Sequence, residues 1–141
     1  MLFFLDTNVL TEGWKRRPNP ILEQWIESND WLIPVPVIAE IQEGGEASPN
    51  LAERARINGR LDAFLHEHGL MVVDWDAETS RTWGRLKHPD EVKRQPQALW
   101  DSLIDAMAVR HGAIVVTRNT DDFRHAKTFN PFKDEPSKPA H

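Results

Sequence analysis

Short apolar runs alternate along this chain with longer segments whose apolar residues recur every three or four positions. The runs Leu2–Leu5, Trp31–Ile33, Leu70–Val73 and Ala113–Val116 read as buried strands, and Thr128–Asn130 as a short fifth. Helical spacing covers Val9–Trp14, Ile21–Glu27, a segment from Val37 through Ile41, Leu51–His68, Ala77–Leu86 and Ala98–His111. On the fourth of these, Leu51, Ala55, Leu61, Phe64 and Leu65 supply an apolar side; on the last, Leu99, Ile104, Met107 and Ala108 do. Gly44-Gly45, Gly69 and Gly112 are expected to stop the helices they follow. The proline-bounded stretch His88–Pro96 reads as a loop, and Lys133–His141, with two prolines and no large apolar residue, as a disordered tail. Strands alternating with helices require a parallel sheet with right-handed crossovers. The expected fold is α/β, one domain over residues 1–132, with four to five parallel strands flanked by helices.

At 141 residues the chain is large enough for one buried core and too short for two. Lys and Arg number 17 against 22 Asp and Glu, a formal charge of −5, which argues against broad electrostatic attraction to nucleic acid. A phosphate substrate would need a local remedy such as a metal. The absence of cysteine excludes disulfides and thiolate zinc sites and is compatible with a reducing cytoplasm. No apolar run has the flanks of a signal peptide or the length of a membrane span.

The candidate chemistry lies in the acids. Asp6 directly follows the first strand, where an open α/β sheet presents its functional groups; alternatively it only caps the helix after it. Glu40 falls on an otherwise apolar helix face beside Ile38 and Ile41, and Asp101 lies early in the helix before the fourth strand. Asp122 closes the turn after that strand, next to Asn119 and Asp121. Asp105, one turn beyond Asp101, reads as a surface acid or a further acid beside the site, with the surface reading preferred. Two carboxylates about 4 Å apart repel by roughly 4 kcal/mol at an effective dielectric near 20, so convergence of these groups calls for a cation. All-oxygen ligands select a hard ion, Mg²⁺ or Mn²⁺. Such an ion would bind phosphate oxygens and lower the pKa of water for attack on phosphorus. The six histidines show no metal-ligand spacing, and the six tryptophans read as core or interface residues.

Asp6-Thr7-Asn8-Val9-Leu10, Ala39-Glu40-Ile41, Asp101-Ser102-Leu103-Ile104 running on to His111-Gly112, Thr117-Arg118-Asn119-Thr120-Asp121-Asp122-Phe123 and Asn130-Pro131-Phe132 together resemble the PIN-domain ribonucleases. Among these the chain is most similar to the VapC and FitB type toxins of bacterial toxin–antitoxin pairs. The resemblance implies a Mg²⁺- or Mn²⁺-dependent endoribonuclease that hydrolyses RNA to a 5′-phosphate and a 3′-hydroxyl, with Asp6, Glu40, Asp101 and Asp122 as metal ligands. Asn119 could replace Asp122, since some relatives carry Asp there, and Asp105 stands where relatives look apolar or small. Thr7, Asn8 and Thr117 are expected to orient ligands or phosphate, and Arg118 to meet a phosphate or a salt-bridge partner. The implied partners are an antitoxin and a second copy of the chain. A phosphatase with Asp6 as nucleophile needs a second Asp two positions on, where Asn8 stands. A non-catalytic PIN-like module is the other alternative, against which the retained acids argue.

Overall fold

The computed structural model of the protein describes residues 1–92 and 97–133. Arg94 and the expected tail beyond Lys133 lie outside them. Strand β1 (Phe3–Leu5) leads into α1 (Thr7–Glu12), followed by α2 (Pro20–Ser28), β2 (Ile33–Pro34), α3 (Val35–Ala47), α4 (Leu51–His68) and β3 (Val72–Val73). Then come α5 (Ala77–Val92), α6 (Leu99–His111), β4 (Ile114–Val116) and β5 (Lys127–Phe129).

All strand pairs are parallel. One sheet has the order β1-β4-β5 and the other pairs β2 with β3. A bridge between Phe4 and Leu32, with Leu32 N–H donating to Phe3 O at 2.9 Å and Leu5 N–H to Leu32 O at 3.0 Å, sets β2 beside β1. The strands therefore run across the molecule as β3-β2-β1-β4-β5, and β1 is central. Phe4, Leu5, Ile33, Val115 and Val116 are almost fully buried on these strands, as expected for a sheet covered on both faces. Trp25 and Leu22 of α2, Val37 of α3 and Ile104 and Met107 of α6 close over it.

Several boundaries depart from the sequence reading. Helix α3 runs through Gly44-Gly45 instead of ending there. A Cβ on Gly45 would lie 2.9 Å from Ile57 Cγ2 of α4, so this glycine serves the close approach of two helices. Helix α5 continues past His88 and contains Pro89. A proline removes one helical hydrogen bond and kinks the helix; α5, which packs along α6, nevertheless continues to Val92. Gly69 ends α4 as expected, in a right-handed conformation (φ −56°), but the chain passes there into a 3₁₀ turn over Gly69–Met71. Leu70 is therefore fully exposed and not part of a strand. Leu51, Leu65 and Leu99 are also exposed, leaving Leu61 and Phe64 as the buried anchors of α4. Gly112 behaves as expected: at φ 65° it caps α6, its N–H donating to Ala108 and Val109 carbonyls.

Candidate active site

The carboxyl ends of β1 and β4 lie side by side because Leu5 pairs with Val116. The next residue on each strand is polar and buried, Asp6 at 4% exposure and Thr117 at 0%. Asp6 does cap α1, its Oδ1 accepting from Thr7 N–H at 2.8 Å. Its other oxygen, Oδ2, accepts from Thr117 Oγ1 at 2.8 Å and from Asn8 Nδ2 at 3.0 Å. Capping uses one oxygen of this carboxylate, and the neighbouring strand end and Asn8 hold the other. Asn8 further donates to Thr117 Oγ1 at 3.3 Å, and its Oδ1 accepts from Arg118 N–H at 3.1 Å. Thr7 Oγ1 donates to Glu40 Oε1 at 2.5 Å, which joins α3 to the start of α1.

Helix α6 supplies Asp101 in its first turn, and a 3₁₀ turn over Thr120–Asp122 supplies Asp122. Among the described residues neither side chain has a hydrogen-bond donor. Burial raises Asp6 to about 6, with Glu40 and Asp122 adding to the rise and the Thr117 hydroxyl and Thr7 N–H opposing it. Burial likewise raises Asp101 to about 7, followed by the charges of Asp6, Asp122, Glu40 and Asp105. The four acids singled out in the sequence are therefore neighbours at one sheet edge, close enough for their charges to add to the rise of Asp6 and Asp101. Asn119 is exposed; its backbone N–H donates to Thr117 Oγ1 at 3.0 Å, which ties the turn to the same hydroxyl that holds Asp6.

The donor set suits a hard divalent cation: four carboxylates, two of them, Asp101 and Asp122, without a protein donor among the described residues, whose repulsion a dication would relieve. Among the described residues no three acids or histidines already stand in a ligating arrangement. Both oxygens of Asp6 accept bonds from Thr7, Asn8 and Thr117, and Glu40 Oε1 accepts from Thr7. A groove of about 550 Å³ opens beside Thr7 and Glu40, walled by Trp14, Lys15, Ile57 and Trp100.

Asp105 is not a surface residue. It is 1% exposed, and its carboxylate accepts backbone N–H groups from Arg124, His125 and Ala126. Two other residues went unnoticed in the sequence. Glu12 of α1 is buried and bridges Lys15 and Arg118, each at 2.9 Å, and the Lys15 ammonium, with help from Arg118, holds it below the usual carboxylate range. Lys15 follows Glu12 by three positions, a spacing that could have flagged the pair; Arg118 arrives from a remote turn. Its guanidinium also covers the Phe132 ring at 4.1 Å, so the salt-bridge alternative for Arg118 describes its place. The second is Gln97, whose Nε2 donates to the Asp122 carbonyl at 2.7 Å; no pattern in the sequence marked it.

The model of the PIN domain family matches residues 3–128. The chain belongs to the PIN-domain family. Over 129 residues it is 30% identical to VapC ribonuclease Y4jK of Sinorhizobium fredii, covering 89% of this chain and 92% of that protein. Toxin FitB of Neisseria gonorrhoeae is 25% identical across 94% of this chain and 100% of its own length. Among solved structures, FitAcB from Neisseria gonorrhoeae superposes with a TM-score of 0.77 at 24% identity, covering 92% of this chain and 98% of that one. DNA-bound VapBC from Salmonella typhimurium gives 0.77 at 25% identity, covering 93% and 99%. This PIN domain thus shares both sequence and fold with toxins along nearly its full length. No helix among its described residues is long and apolar enough to cross a membrane.

Proposed function

We propose that the protein is a Mg²⁺- or Mn²⁺-dependent endoribonuclease toxin, restrained by a cognate antitoxin. The observation that carries the reading is the convergence of Asp6, Glu40, Asp101 and Asp122, in which burial and the other three charges raise Asp101 to about 7. Such a site is matched to a cation and, through it, to phosphate. Bound there, the ion would supply charge at a phosphate oxygen and lower the pKa of the attacking water.

The protein's own groups prepare that chemistry. Thr117 and Asn8 fix the orientation of Asp6, and Thr7 orients Glu40. Half-buried Asp101, raised to about 7 in the metal-free fold by burial and its acidic neighbours, would be held ionised by a bound dication. The groove beside Glu40 offers single-stranded RNA a path to these acids. Hydrolysis of the phosphodiester would leave a 5′-phosphate and a 3′-hydroxyl. The antitoxin, the homodimer and a cytoplasmic location follow by analogy with the relatives, whose solved forms include VapBC and FitAB assemblies.

The deciding experiment incubates end-labelled RNA with the purified protein and Mg²⁺ or Mn²⁺, with and without chelator, beside Asp101→Asn. Metal-dependent cleavage lost in the variant supports the reading; equal cleavage by both proteins removes the site assignment.

A further inference from the structure

At 1% exposure Asp105 is more deeply buried than Asp6, yet it lies one helical turn beyond Asp101 on α6. Its carboxylate accepts three successive backbone N–H groups: Arg124 at 3.3 Å, His125 at 3.2 Å and Ala126 at 2.9 Å. These amides belong to the segment that leaves Asp122 and enters β5. Gln97 completes the connection, its Nε2 standing 3.4 Å from Asp105 Oδ2 and 2.7 Å from the Asp122 carbonyl oxygen. The Asp122 turn is thereby fastened, at its carbonyl and just beyond, to the helix that carries Asp101.

We infer that Asp105 is a positioning residue: acting on the 124–126 amides and through Gln97, it sets the placement of Asp122 relative to Asp101 and with it the affinity of the acid cluster for a divalent cation. The inference rests on reading those acids as a cation site. An apolar residue at 105 would fill the same space but leave three amides without this acceptor, and the turn would keep its 3₁₀ bonds and its ties to Thr117 and Gln97 while losing the fastening of 124–126 to α6. Groups that orient first ligands by hydrogen bonding change metal affinity by about 10- to 100-fold when removed. A purely structural acid would alter stability and leave that affinity alone.

The test titrates the full-length protein with Mn²⁺ by calorimetry and follows amide hydrogen exchange at 124–126, for the unaltered chain, Asp105→Asn and Gln97→Ala. Gln97→Ala keeps the three amide bonds and removes the Gln97 links to the Asp122 carbonyl and to Asp105 Oδ2, so it reports even if Asp105→Asn does not fold. Thr79→Ala, which deletes a buried hydroxyl bonded to Asp76, serves as a destabilised control, since Asp76 reaches Arg110 at the opposite end of α6 from Asp101. Expected are faster exchange at 124–126 in Asp105→Asn, a Mn²⁺ affinity about 10-fold or more weaker in that variant and weakened in Gln97→Ala, and an unchanged affinity in Thr79→Ala. Unchanged affinity in Gln97→Ala and in any folded Asp105→Asn overturns the inference alone. Absence of saturable Mn²⁺ binding in the unaltered chain overturns the cation site itself, and the inference with it.

Discussion

Thr117 donates its hydroxyl to Asp6 at 2.8 Å across the adjoining ends of β4 and β1. The same oxygen accepts from Asn119 N–H and Asn8 Nδ2, so one buried hydroxyl orients a strand-end acid and anchors the turn that leads to Asp122. Thr117→Val keeps the shape and removes these bonds. Leaving buried polar groups unpaired costs about 1–3 kcal/mol, so Tm should fall accordingly in thermal denaturation. Because the hydroxyl opposes the rise of Asp6, the acid limb of the cleavage profile should also move toward higher pH. Thr117→Ser should retain the parent's profile; a Val variant with the parent's acid limb would show that this hydroxyl does not govern Asp6.

Asp6→Asn and Asp101→Asn remove charges that the metal-free fold resists. RNA cleavage should drop to background in both, while Tm measured in chelator stays level or rises, the gain for Asp101 corresponding to about 1–2 kcal/mol of unfolding free energy at neutral pH once solvent screening is allowed for. Thermal scans beside a cleavage assay decide the matter, and cleavage surviving in both variants would remove these acids from the chemistry.

The pH dependence has a definite direction. The folded values of Asp6 and Asp101, about 6 and about 7, stand above the unfolded value of 3.8, so the folded protein binds their protons more tightly. Their contribution to metal-free stability is fully present below about pH 4 and is lost as pH rises through 6 and 7. Saturating Mg²⁺ competes with those protons and should reverse the trend. Denaturant titrations at pH 5.5 and 8 with and without Mg²⁺ would expose the crossover, and parallel stability curves would contradict it.

Gly45 packs against Ile57 so closely that a methyl group would fall 2.9 Å from Cγ2. Overpacking of this kind costs about 1–3 kcal/mol, partly offset by about 1 kcal/mol of helix propensity gained from alanine. Gly45→Ala should therefore lower stability modestly, and Ile57→Leu, which lacks the Cγ2 methyl on Cβ, should recover part of the loss in the double variant. Equal stability of Gly45→Ala and the parent would mean that α3 and α4 adjust without cost.

The positions of Asp6, Glu40, Asp101 and Asp122 could be read from the chain because each is tied to a local signal, a strand end or the opening turns of a helix, and a parallel sheet collects such points at one edge. Asp105 was misjudged for the opposite reason. Its partners are amides at 124–126, some twenty residues away, and a helical wheel centred on Asp101 carries no trace of a loop returning over it. Arg118 joins Glu12 across 106 positions with no local pattern to announce the pair. Gly45 misled in its own way, because a glycine pair looks the same in sequence whether it ends a helix or lets a neighbouring helix approach.

The central strand has a consequence for synthesis. Phe3 pairs with Ile114, and Asp6 meets Thr117 only across 111 positions. The first strand to leave the ribosome must wait, unpaired on that side, until nearly the last one follows. Contacts this distant in sequence form late and slowly, so a partly made polypeptide lacks the Asp6 and Thr117 junction altogether. The acids Asp6, Glu40, Asp101 and Asp122 therefore cannot be gathered at one sheet edge on a nascent chain until residues 114–122 have left the ribosome.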